Sequence, residues 1–127
     1  MTRINLVDPS TLHQKHLLAE YRELPRVFKL AEAAQNRGIK IPPEYVLGPG
    51  HVTFFYNKLG FLAHRFQAIV AECQKRGFNI AHTQVPTVNL PIKWWQTYNP
   101  TPKAIELNAA RIKDRMPLTL QKEYHAK

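Results

Sequence analysis

The sequence predicts an all-α fold: a compact single domain over residues 1–127, with three main helices joined by long proline-rich loops. Three observations predict it. Apolar residues recur at three- and four-residue spacing in three stretches, the signature of helices with one buried face. No stretch alternates apolar and polar residues with the period of two that marks a half-buried strand. Most of the ten prolines lie at the ends of those stretches or between them, where they punctuate the chain.

The first helix is expected from about Pro9 to Asn36. Asp8 reads as its N-cap, Pro9 takes the first helical position, and Gly38 follows the end. At about 100° per residue, Leu17, Tyr21, Leu24, Phe28 and Ala31 share one face. Lys15, Arg22, Arg26 and Lys29 share the opposite face, and His16 and Glu23 lie on the flank between them. The apolar stripe continues past Pro25, so that proline reads as a kink and not a stop. Residues 38–50, GIKIPPEYVLGPG, form a loop. The second helix is expected from about Thr53 to Arg76, with cations in its last turn and Gly77 as its cap. Phe55, Leu59, Leu62, Phe66, Ile69, Val70 and Cys73 form its core face, and Gly60 is its weak point. Residues 78–100 form a long connection holding Pro86, Pro91 and Pro100. The third helix opens at Thr101-Pro102 and runs through Ala104, Ile105, Leu107 and Ile112 to about Met116, where Pro117 stops it. The tail LTLQKEYHAK reads as weakly ordered.

Composition narrows the function classes. A chain of 127 residues, 44% apolar and 21% charged, fits one globular domain with its own core. Cys73 is the single cysteine, so no intramolecular disulfide forms. MTRINLVDPS lacks the apolar core of a signal peptide, and no apolar run approaches a membrane span. The reading is of an intracellular monomer without membrane attachment. The net charge of +9 and a pI near 9.9 favour a polyanionic partner, nucleic acid before anionic membrane.

The stretch AEYRELPRVF, residues 19–28, sets Glu23 between Arg22 and Arg26. The simplest reading is a solvated ion pair worth under ~1 kcal/mol. The functional reading is a carboxylate held towards a reaction centre, where it stabilises positive charge developing at a sugar carbon or moves a proton. The N-terminus offers a matching nucleophile. Thr2 is small, so an intracellular aminopeptidase is expected to remove Met1. The exposed α-amine, with an ordinary pKa of about 7.7–8.0, is partly neutral near pH 7. Neighbouring arginines lower it further, and such an amine forms a Schiff base with C1′ of a sugar. His13, His16 and Glu20 suggest a rival zinc site, but no fourth ligand is evident. Trp94, Trp95 and Tyr98 either stack on bases or cover the core beneath a loop. Cys73 on an apolar face reads as core packing.

MTRINL at the start, HLLAEYRELPRVF (16–28), GHVTFFYNKL (50–59) and AECQKRGFNI (71–80) together resemble the phage-type endonuclease V family, the pyrimidine-dimer DNA glycosylases with apurinic/apyrimidinic lyase activity. The resemblance is dense over the first 80 residues, thin over 81–101, and moderate again in AARIKDR (109–115). It implies a compact three-helix fold and damaged double-stranded DNA as partner. It implies the Thr2 α-amine as the nucleophile that displaces the base and forms an imine with C1′. Glu23 becomes the carboxylate assisting at the sugar and in strand scission by β-elimination. Arg3, Arg22 and Arg26 become phosphate contacts, Arg111 and Arg115 extend the basic surface, and His16 bonds near the active site or to a phosphate. No metal and no organic cofactor is implied. The family's phage member ends in a tail dense in Trp and Tyr, whereas PLTLQKEYHAK carries Tyr124 alone. The resemblance is therefore more specific for the family than for the lesion. A basic DNA-binding protein without catalysis is the alternative from another class, with a glycosylase or lyase for a different lesion nearer by.

Overall fold

Asp8 does cap a turn, but a shorter one than the sequence suggests. The computed structural model, which describes residues 3–115, shows a single 3-10 turn at Pro9–Thr11, with Ser10 N–H donating to Asp8 Oδ1 at 2.9 Å. Leu12 is then extended, which buries its side chain and interrupts the helix. α1, Gln14–Ala34, starts afresh on His13, whose Nδ1 accepts from Lys15 N–H at 3.1 Å. Pro25 lies inside α1, which continues through it. Having no N–H, Pro25 leaves the Tyr21 carbonyl without its helical donor. A 3-10 turn, Gln35–Arg37, finishes the helix at Gly38, whose φ of 61° is the left-handed conformation expected past a helix end.

The second predicted helix is two. α2, His51–Phe54, is one turn, and α3 is Leu59–Lys75. The break comes from a distant segment. Gln96 N–H donates to Asn57 O at 3.4 Å, and Phe61 N–H donates to Gln96 O at 3.2 Å. Lys58 and Trp95 form an antiparallel bridge. Gly60 permits this docking, since a Cβ there would lie 2.5 Å from Trp95 O. At its far end α3 closes on Gly77, with Gly77 N–H bonded to Gln74 O and Phe78 N–H to Cys73 O, both at 3.0 Å. That pair of bonds satisfies carbonyls the helix end would otherwise strand. α4, Pro102–Asp114, begins as predicted, with Thr101 Oγ1 accepting from Ala104 N–H at 3.1 Å. Its expected end at Met116 and the tail lie outside the described residues. No strand occurs among the described residues.

α1 packs along α3. Leu17, Leu24, Val27, Phe28 and Ala31 meet Leu59, Leu62, Phe66, Ile69 and Cys73 in one core, and every residue of the core face predicted for the second helix is buried, Phe55 just before α3 included. Tyr21, by contrast, is only half-buried, stacking on Phe66 at 6.0 Å. Trp94, Trp95 and Tyr98 pack over this core. Trp95 lies 5.8 Å from Phe28, and Tyr98 meets Phe54, Phe55 and Phe61 edge-on. Of their two readings, the structure supports covering the core.

Candidate active site

The N-terminal segment from Arg3 to Leu6 lies in neither helix nor strand, so its backbone groups need side-chain partners. They have them. Ile4 N–H donates to His51 Nε2 at 2.8 Å, and Tyr45 O–H donates to Ile4 O at 3.3 Å. Asn5 donates to Glu20 from its backbone at 3.3 Å and from its side chain at 2.8 Å. Leu6 N–H donates to Asn108 Oδ1 at 2.6 Å, and Asn108 Nδ2 donates to Asn5 Oδ1 at 2.8 Å. Arg65 donates to Val7 O at 2.8 Å and forks both Glu20 oxygens. The Glu20–Arg65 pair is buried, and this saturation with hydrogen bonds is what makes a buried pair tolerable.

This network sets the N-terminal segment between α1 and α4, along one side of a cleft of about 670 Å³. Arg3 and Asn5 line it from the segment, and Lys15, His16, Ala19, Glu20 and Glu23 line it from α1. Arg111, Ile112, Asp114 and Arg115 line it from α4. The helical spacing explains the α1 contribution, since residues three and four apart stack on one face.

The cleft carries cationic side chains on every wall: Arg3 from the N-terminal segment, Lys15 from α1, and Arg111 and Arg115 from α4. Arg3 Nη1 and Arg111 Nε are buried without a hydrogen-bond partner among the described residues. Burial first, then the charges of Arg111 and Arg115, hold the Arg3 pKa below the usual guanidinium range. Unpaired buried donors are costly, and a phosphate would satisfy them through the planar fork of donors that arginine presents. His16 is held below its ordinary pKa by burial chiefly, with His13, Lys15 and Arg3 adding to the effect and a hydrogen bond to the Arg115 backbone opposing it.

The structure thus brings Arg3, His16, Glu23, Arg111 and Arg115 to one cleft. Arg22 and Arg26 are exposed on α1 outside its lining. Arg22 borders a separate depression with Tyr21 and the 77–82 segment. Thr2 lies outside the described residues. The rival zinc set is taken up elsewhere: His13 caps α1 and Glu20 is forked by Arg65.

Sequence reasoning missed the network of Asn5, Glu20, His51, Arg65 and Asn108. One signal was there. Glu20 falls between Leu17 and Leu24 on the apolar stripe of α1, and Arg65 falls between Leu62 and Ile69 on that of α3. Opposite charges on two faces that must pack together predict a buried pair. His51 and Asn108 carry no such local signal.

A family model described as pyrimidine dimer DNA glycosylase matches residues 1–84. That span holds the N-terminal segment, all of α1 with Glu23, and α3 with Arg65. The α4 wall lies beyond it. The chain belongs to the pyrimidine dimer DNA glycosylase family and is a DNA repair glycosylase.

Proposed function

We propose that this protein excises a pyrimidine dimer from double-stranded DNA and then nicks the abasic site, using the Thr2 α-amine as nucleophile and Glu23 as the catalytic carboxylate. One observation carries the reading: Glu23 lies in a cleft otherwise dominated by Arg3, Arg111 and Arg115, and the N-terminal segment forms part of its lining. With Met1 removed, the amine nitrogen attacks C1′ and the glycosidic bond breaks, its electrons leaving with the base. Opening of the sugar ring puts the O4′ electrons on a hydroxyl and leaves an iminium between nitrogen and C1′. Loss of a proton from C2′ then forms the C2′–C3′ double bond and expels the 3′ phosphate. The Glu23 carboxylate stabilises the positive charge at C1′ and moves the protons. Arg3, Arg111 and Arg115 hold phosphates beside the exposed nucleotide, and Arg22 and Arg26 extend the contact along the outer face of α1. His16, held neutral, serves as a hydrogen-bonding group beside them.

Unstacking a nucleotide costs a few kcal/mol, which phosphate contacts of this number supply. The decisive variant is Glu23→Gln on a duplex carrying one cis-syn thymine dimer. Strand cleavage is expected to fall about 10²–10⁴-fold with duplex binding retained. Cleavage at the wild-type rate would contradict the role of Glu23. Cleavage of an abasic duplex without release of the dimer would assign the protein a different lesion.

A further inference from the structure

Two side chains hold the backbone of Ile4, the first fully buried residue among those described, and one of them is histidine. His51 is 1% exposed. Its Nε2 accepts from Ile4 N–H, and its Nδ1 lies 2.8 Å from Val46 O, a carbonyl that can only accept. The two bonds together require the neutral ring with its proton on Nδ1. The ring is wedged edge-on against Tyr45 at 5.3 Å and Phe55 at 5.7 Å, and Tyr45 bonds the Ile4 carbonyl. An apolar side chain would fill this space without the cost of burying a polar ring. What the histidine adds is a fixed position for the Ile4 amide. Only two residues separate that amide from the Thr2 α-amine, a reach of at most ~7 Å.

We propose that His51 is a positioning residue for the N-terminal nucleophile, holding the backbone that carries the amine in register with Glu23. The inference rests on the reading of the Thr2 amine as nucleophile. Asn108 and Glu20 secure Leu6 and Asn5 in the same way, so the segment is held on both sides. Misplacement by about 1 Å costs a reaction roughly 10²-fold. Protonation of His51 sets an N–H against the Ile4 N–H and releases the amide. The charged or titratable groups facing His51 are Arg3 of the N-terminal segment and Tyr45 of the loop. Burial holds its pKa below the ordinary histidine range, with the Val46 hydrogen bond opposing and Arg3 adding to the effect, so release begins only in acid.

The test is single-turnover borohydride trapping on a preformed abasic duplex at saturating protein, with Met1 removed. Wild type is compared with His51→Leu, which can make neither bond, and His51→Gln, whose amide can make both. His51→Leu is expected to trap about tenfold to a hundredfold more slowly with duplex affinity little changed, and His51→Gln close to wild type at neutral pH. In acid well below the ordinary histidine range, where wild-type His51 takes up its proton, the ratio of His51→Gln to wild-type rate rises, because the amide does not protonate. A folded His51→Leu protein trapping at the wild-type rate would overturn the proposal. If that variant does not fold, the ratio decides, and a ratio flat with pH overturns it. A wild-type protein that traps nothing removes the nucleophile itself, and this inference with it.

Discussion

Arg3 and Arg111 each bury a guanidinium nitrogen that no described group satisfies, and in the proposed reaction a phosphate would satisfy both. Arg111→Gln is expected to weaken binding to damaged and undamaged duplex alike and to lower the slope of log K against log salt by about one. Equilibrium binding at several salt concentrations measures it. Glu20 and Arg65 behave differently, because they are already paired. Arg65→Met leaves a buried carboxylate without its partner and is expected to destabilise the fold by about 3–5 kcal/mol, read by urea unfolding. Substitution of both by apolar residues is expected to cost much less. At this scale the sequence is half legible. Glu23, Arg3 and His16 sit in motifs that resemble a family, and they do share a cleft. His51 and Asn108 act through partners 47 and 102 residues away, and no local pattern encodes such a pairing.

Among the helices, legibility follows the range of the forces. α4 begins where Thr101 and Pro102 place it, and α3 ends where Gly77 places it, because caps are local chemistry. The break between α2 and α3 was not legible, because the 95–96 backbone imposes it from outside. Gly60 is the residue that admits that backbone. Gly60→Ala, which on helix propensity alone would stabilise α3, is instead expected to destabilise by about 1–3 kcal/mol through overpacking. A rise in the urea midpoint would contradict the docking. The early start predicted for α1 failed for a related reason. Leu12 turns extended and buries its side chain where the helix would have continued, and His13 supplies a second cap.

At the level of the whole molecule, charge and pH set the working range. The +9 charge makes association electrostatic and its rate fall with salt. Acid acts through His51, whose pKa is depressed by burial. The unfolded chain takes up that proton first, so the stability this group contributes is complete above about pH 6.5. It is lost as pH falls through the depressed folded value, at up to ~1.4 kcal/mol per pH unit. Urea midpoints across pH 4–8 are expected to show this decline in wild type and a shallower one in His51→Gln. No described helix is long and apolar enough to cross a membrane.

The proposed reaction depends on an N-terminal amine and Glu23 acting together on one sugar carbon. It is tested most directly by borohydride trapping of protein lacking Met1 on a duplex with one cis-syn thymine dimer, followed by mapping of the adduct. One covalent adduct is expected, on the α-amine of Thr2. An adduct on a lysine, or none from protein with a verified free Thr2 amine, would contradict it.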